Sequence, residues 1–160
     1  MKLKTAAAIS ALLVTAIAAP AFASSPDVYV VNFRNSQDVK SQALDAQLSA
    51  AISMAGVNAE EVVIDTSTAA KWEKGAHEAF DRDIVPVFNK WVGLPGFAAI
   101  VDADTKRVIG CVNSTFQAQE IARELRKMAS AAQGQAFMSR ASVSTKTTRC
   151  PSAHNVDPLG

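Results

Sequence analysis

The stretch 93–112 places the strongest constraint on how this chain folds. Two apolar, β-favouring runs, 97–101 and 107–112, are separated by the short polar segment 102–106. Such runs joined by a short turn predict an antiparallel hairpin. Pro95 stands directly before the first run, where its missing N–H interrupts no ladder in the middle of a sheet. The residue letters leave open whether the Leu94–Pro95 bond is cis or trans.

Upstream of the hairpin, hydrophobic periodicity predicts a strand–helix–strand unit. Residues 28–33 are nearly continuously apolar, as in a central strand that is buried on both faces. A helix capped by Asn35 or Ser36 follows and ends at Gly56. Residues 61–65 form a second short strand, which a right-handed helical crossover makes parallel to the first. The buried stripe of the helix is Leu44, Leu48, Ala51, Ile52 and Ala55.

Two further helical segments complete the pattern. The first is capped by Thr66, Ser67 or Thr68, and Pro86 inside it predicts two pieces that meet near Ile84. The last helix follows the hairpin, with Ser114 as its N-cap, Gln117 as the capping-box partner, and a buried stripe that reaches Ala132. The aromatic residues expected in the core of the first segment are Trp72, Phe80, Phe88 and Trp91.

The predicted order is therefore β-α-β-α-β-β-α. This order describes an α/β protein whose mixed four-stranded sheet carries helices on both faces. The domain spans residues 24–132. The tail, residues 133–160, is rich in Ser and Thr and has few large apolar side chains, so we expect it to be mostly irregular.

The first 23 residues have the three-part pattern of a secretory signal peptide. Lys2 and Lys4 form the basic region, residues 6–19 are small and apolar, and Ala-Phe-Ala at 21–23 is a cleavage site. The apolar run is shorter than the roughly 20 residues of a membrane anchor. We therefore expect a mature chain that begins at Ser24 or Ser25, is periplasmic or secreted, and has no stable membrane insertion.

The charge of the mature chain restricts its class of partner, and its cysteine content predicts a disulfide. Removing Lys2 and Lys4 from the 16 basic residues leaves one fewer base than the 15 acids, with no basic run. This balance argues against a nucleic-acid partner. Cys111 and Cys150 are an even pair, so export into an oxidising compartment favours one disulfide, which would tether the tail. Free thiols, or pairing with another chain, are the alternatives.

No arrangement of side chains predicts catalysis, a metal site or a cofactor. The two histidines, His77 and His154, have no accompanying ligands at zinc-site spacing. No serine lies in a Gly-x-Ser-x-Gly turn. The paired acids are interpreted as solvated faces rather than as acid–base pairs, and they are Glu60, Glu61, Asp81 and Asp83.

The order of elements, with Pro95 just before the third strand, resembles the thioredoxin fold from Val28 to about Ala131. In thioredoxin-like enzymes a redox Cys-x-x-Cys follows the first strand and opens the first helix. Here Asn35-Ser36-Gln37-Asp38 stands in that place, which excludes dithiol–disulfide exchange at the usual position.

The same resemblance implies a binding site at Leu94, Pro95 and Gly96. In thioredoxin-like proteins, backbone groups beside this proline pair with an extended segment of a partner, which is a strand-like mode of recognition. The alternative is that Pro95 only shapes the start of the hairpin.

A narrower resemblance is to small exported proteins of integrating conjugative elements and conjugative plasmids. The residues that carry it are 91–95 (Trp-Val-Gly-Leu-Pro), 100–102 (Ile-Val-Asp) and 108–110 (Val-Ile-Gly). It implies a non-catalytic periplasmic protein that binds envelope proteins of a conjugative transfer (type IV secretion-like) system. The alternatives are a thiol-dependent oxidoreductase or chaperone that uses Cys111 and Cys150, and an extracytoplasmic peptide- or ligand-binding protein.

Overall fold

The computed structural model describes residues 25–133 and 149–152. The predicted order of elements is confirmed, and the second helical segment is divided in two as expected. The predicted signal peptide and tail residues 134–148 and 153–160 lie outside the described residues. The elements are β1 (Val28–Arg34), α1 (Val39–Ala55), β2 (Ala59–Asp65), α2 (Ala69–Asp81), α3 (Val85–Trp91), β3 (Phe97–Asp102), β4 (Val108–Asn113) and α4 (Ala118–Ala132).

The four strands form one mixed, open sheet in the order β2-β1-β3-β4. β1 is parallel to β2, as the helical crossover predicts, and antiparallel to β3. β3 and β4 form the predicted antiparallel hairpin. β3 therefore runs opposite to the other three strands, and β1 has a paired neighbour on each side.

Helices cover both faces of the sheet. On one face, α1 and α4 pack against alternate residues of the strands, and this core contains Val28, Val30, Leu44, Leu48, Ile100, Ile121 and Leu125. On the other face, α2 and α3 pack against the intervening strand residues, which include Tyr29, Val31, Phe33, Ile64 and Phe97. Because β1 contributes to both cores, its nearly unbroken apolar sequence is explained.

Two helices begin later than the sequence predicts. The N-cap of α1 is Asp38 rather than Asn35 or Ser36, and α4 begins after Gln117 rather than Ser114. The Asn35 side chain accepts a hydrogen bond from the N–H of Gln37, which forms a turn ahead of α1. Asn113 does the same for Thr115 ahead of α4. The capping box is therefore shifted by three residues, and the Glu120 carboxylate accepts the Gln117 N–H.

The expectation for the aromatic residues of α2 and α3 was partly wrong. Phe88 and Trp91 are buried, but Trp72 is 46% exposed and Phe80 is 74% exposed. The face of α2 that meets the sheet consists of small residues, Gly75 and Ala79. A Cβ on Gly75 would lie 3.4 Å from the Cα of Ile64, so the helix approaches too closely for large side chains on that face.

Within residues 25–133 and 149–152, no helix has the length and apolar character needed to cross a membrane.

Candidate functional site

The loop that joins α3 to β3 lies beside the start of α1. Because β3 pairs with β1, the loop residue Gly96 reaches the end of β1 and donates its N–H to the carbonyl of Phe33 at 2.8 Å. The Leu94–Pro95 bond is trans, as are the other peptide bonds of the described residues. The structure thus brings the three predicted binding residues, Leu94, Pro95 and Gly96, next to the first residues of α1.

The hydrogen bonds of this loop determine what it offers to a partner. The Leu94 N–H donates to the Trp91 carbonyl at 3.0 Å, the Gly96 N–H is taken by Phe33, and Pro95 has no N–H. Among the described residues, nothing donates a hydrogen bond to the carbonyls of Leu94 or Pro95. Because Pro95 is exposed, the loop presents hydrogen-bond acceptors rather than donors.

Gly96 fits this position because it has no side chain. Its φ is +92°, and a Cβ there would lie 3.0 Å from the Cβ of Lys40 and 3.2 Å from Oδ2 of Asp38. Gly96 therefore lets the loop pack directly against the first turn of α1.

A groove of about 370 Å³ extends from this loop. It runs from the first turn of α1 to residues 113–116, at the end of β4 and in the connection to α4. We call it the proline-loop groove. Lys40 and Arg149 supply positive charge to its lining. Its lining includes Lys40, Pro95, Gly96, Phe116, Arg149 and Pro151.

The tail reaches this groove through the disulfide Cys111–Cys150, which the structure contains as the sequence favours. Cys111 lies on β4 and is 3% exposed, and its Cα is 5.0 Å from that of Cys150. Next to it, the carbonyl of Pro151 accepts the indole N–H of Trp91 at 3.0 Å. Residues 149–152, here called the tail segment, therefore lie at one side of the groove.

The positions that hold a dithiol in thioredoxin-like enzymes here form a turn and a helix cap. The Asp38 carboxylate accepts hydrogen bonds from both the hydroxyl and the amide of Ser41, each at 2.8 Å. These two hydrogen bonds hold the pKa of Asp38 below its usual value, and the bond from the hydroxyl has the larger effect. This arrangement stabilises the N-terminus of α1 and offers no nucleophile.

A second polar cluster lies at the carboxyl ends of β1 and β2. Arg34 bridges Asp45 of α1 at 3.1 Å and Asp65 of β2 at 3.6 Å. Burial raises the pKa of Asp65, but hydrogen bonds from Ser67 and Lys71 outweigh it and hold the pKa below its usual value. The cluster ties α1 to the edge strand β2, so we interpret it as structural.

Asn32, in the middle of β1, extends this cluster. Its side chain is 1% exposed and donates to Asp45 at 2.8 Å and to Glu61 at 3.0 Å. The signal in the sequence was a lone polar residue inside an apolar strand. The sequence does not reveal its partners, because they come from a helix and a strand that are distant along the chain.

The other candidate groups are not assembled into a site. His77 is exposed on α2, and His154 lies outside the described residues. Glu60 pairs with Arg82 at 2.5 Å, whereas Asp81 and Asp83 are exposed. In the described part of the chain, no three His, Cys, Asp or Glu side chains are grouped so as to hold a metal ion.

Comparison with known proteins adds no relative: no family model, no curated protein and no solved structure matches this chain. The functional interpretation of the site therefore depends on the geometry of its residues. Sequence reasoning predicted the proline loop but missed Lys40, Arg149 and residues 113–116. These residues become candidates for the site only because the fold places them beside the proline loop, and no motif identifies them in the sequence.

Gly96→Ala and Gly93→Ala form a matched pair that separates contact from backbone strain. Both glycines have positive φ, +92° and +90°, but a Cβ on Gly93 would meet nothing within 4 Å. We expect Gly93→Ala to lower the free energy of unfolding by about 1–3 kcal/mol through strain alone. Gly96→Ala should lower it further, because Lys40 must also move. Equal losses in urea denaturation would contradict the close packing of loop and helix.

Asp38→Asn tests the electrostatics of the helix cap. Because the pKa of Asp38 is lower in the folded than in the unfolded chain, its ionised form contributes stability above the unfolded pKa. That contribution is lost as pH falls through the folded pKa. Below about pH 5, the free energy of unfolding should therefore fall less steeply in Asp38→Asn than in the wild type. Asp81→Asn, which removes the same charge from an exposed position, is the charge-matched control. An unchanged slope in Asp38→Asn would contradict the assignment.

Proposed function

We propose that residues 28–131 have a thioredoxin-like fold. The strand order β2-β1-β3-β4, with β3 opposite in direction to the other three, supports this proposal. The placement of α1 and α4 on one face and of α2 and α3 on the other supports it as well. Pro95, directly before β3, occupies the place that the resemblance assigns to the proline.

We propose further that the protein is a non-catalytic, periplasmic component of a conjugative transfer system and acts by binding an envelope protein. The observation that carries the binding proposal is the proline-loop groove, a recess of about 370 Å³ beside a loop with unpaired carbonyl groups. The assignment to conjugative transfer rests on the resemblance of residues 91–110 to exported proteins of such elements.

The chemistry of the groove defines the partner segment. An extended segment that lies along the loop donates backbone N–H groups to the carbonyls of Leu94 and Pro95. Lys40 favours acidic side chains on that segment, since opposite charges attract across a partly desolvated surface. Recognition of this kind needs no reactive side chain, which agrees with the absence of cysteine from positions 35–38.

The disulfide is the one observation that favours a second candidate, a thiol-dependent oxidoreductase. Its two cysteines are 39 residues apart, and Cys111 is nearly inaccessible on β4. Reactive thiol pairs are instead exposed and close together at a helix N-terminus, where the thiolate is stabilised. The geometry therefore supports the binding function better.

The binding proposal predicts that the purified mature protein does not catalyse insulin reduction in the presence of excess dithiothreitol. The rate should equal that of dithiothreitol alone and should be the same for Cys150→Ser, because no dithiol opens α1. A turnover rate near that of thioredoxin, lost in Cys150→Ser, would support the oxidoreductase instead.

The conjugative assignment predicts that deleting the gene in its native host lowers the frequency of element transfer. Wild-type protein should restore transfer, whereas Pro95→Asp should not, because a negative charge then faces the carbonyl acceptors of the loop. Thr105→Asp places the same charge on the exposed β3–β4 turn, at the other end of the hairpin, and should restore transfer fully. Wild-type transfer frequency after the deletion would refute the assignment.

A further inference from the structure

We propose that the tail segment, residues 149–152, narrows the proline-loop groove and that reduction of Cys111–Cys150 by a protein dithiol widens it. The inference rests on the proposed function, since it concerns access to the same groove. It assigns the disulfide a regulatory role in binding.

The position of the tail segment is the first observation. Arg149 and Pro151 line the groove together with Pro95 and Gly96 of the loop, so they limit its width on one side. The carbonyl of Pro151 also satisfies the indole N–H of Trp91, a side chain that is 1% exposed. In the oxidised protein, the tail segment therefore forms one wall of the groove.

The second observation is how little holds the tail segment in place. Within the described residues, its connections to the domain are the disulfide, the packing of Cys150 and the Trp91–Pro151 hydrogen bond. It forms no backbone hydrogen bond with a described strand, and Arg149, Pro151 and Ser152 are exposed. One neutral hydrogen bond does not offset the conformational entropy of ordering four residues, so among these connections of described residues the disulfide contributes most to holding the segment in place.

The two sulfur atoms differ in accessibility, and this difference determines which of them an incoming thiolate attacks. Cys150 is partly exposed, whereas Cys111 is buried. A thiolate of the incoming dithiol attacks Sγ of Cys150 and forms a mixed disulfide, and Cys111 leaves as a thiolate and takes up a proton. The second thiol of the dithiol then attacks its own sulfur in that mixed disulfide and releases Cys150 as a thiol. One disulfide is reduced and one dithiol is oxidised, so electrons and protons balance.

Reduction then changes the groove in two ways. Release of the tail segment removes Arg149 and Pro151 from the lining of the groove. Lys40, at the start of α1, remains in the lining. The indole N–H of Trp91 loses its acceptor and becomes available to water or to a carbonyl of the partner. The reduced form therefore offers more room and one additional donor to the extended segment that the proposed function requires.

Hydrogen–deuterium exchange on the full mature protein tests the inference, with dithiothreitol as the dithiol probe. On reduction, the amides of Leu94, Gly96 and Phe97 and those of residues 113–116 should exchange about tenfold faster, whereas those of β1 should be unchanged, because only the tail segment is released. Cys150→Ser should show the same fast exchange without any reductant. Ser152→Ala, in the same segment but with the disulfide intact, should behave as the oxidised wild type.

A Trp72→Phe background adds an independent measurement, since Trp91 is then the sole tryptophan. Its emission should shift on reduction as the hydrogen bond to Pro151 is lost. Unchanged exchange in the groove and unchanged emission would overturn the inference. Faster exchange across the whole domain, β1 included, would also overturn it, because the disulfide would then be a general stabiliser. Neither result depends on the transfer assay, so failure of the proposed function is recognised separately.

Discussion

The pairing of β1 with a neighbour on each side is the constraint on which the rest of the structure depends. β1 is parallel to β2 and antiparallel to β3, and its side chains alternate between the two cores. A strand in that position must be apolar on both faces, and it fixes where each connection ends. The antiparallel pairing with β3 is what returns the chain from α3 to the carboxyl end of β1, beside the start of α1.

The candidate site follows from that placement. Pro95 and Gly96 belong to the connection before β3, Lys40 belongs to α1, and residues 114–116 follow β4. These segments are distant along the chain, and the sheet brings them together. The hydrogen bond from Gly96 to Phe33 holds the loop against β1, and the disulfide Cys111–Cys150 adds the tail segment. The first belongs to the sheet itself, whereas the second is covalent and reversible, which is why we assign a regulatory role to it.

Three features of the site distinguish it from the active site of a thioredoxin-like redox enzyme. Where a dithiol would open α1, Asn35 forms a turn and Asp38 caps the helix. The only two cysteines of the chain are placed elsewhere and joined to each other. The amides of Leu94 and Gly96 are bonded within the domain, whereas no donor among the described residues reaches the carbonyls of Leu94 and Pro95. Each of these features agrees with the proposal that the groove binds a partner.

The sequence by itself determined the elements whose signals are local. Alternating or continuous apolar runs define the strands, helical spacing defines α1 and α4, and Pro86 divides α2 from α3 because its ring clashes with the preceding turn. The sequence also favoured the disulfide, since the chain contains one pair of cysteines. Tertiary structure decided the rest. The starts of α1 and α4 depend on asparagine turns that compete with nearby capping residues. The exposure of Trp72 and Phe80 depends on how closely Gly75 lets α2 approach β2. The groove exists only where the sheet brings Lys40, Pro95 and Phe116 together, because contacts between segments distant along the chain are set by strand pairing and leave no local pattern in the sequence.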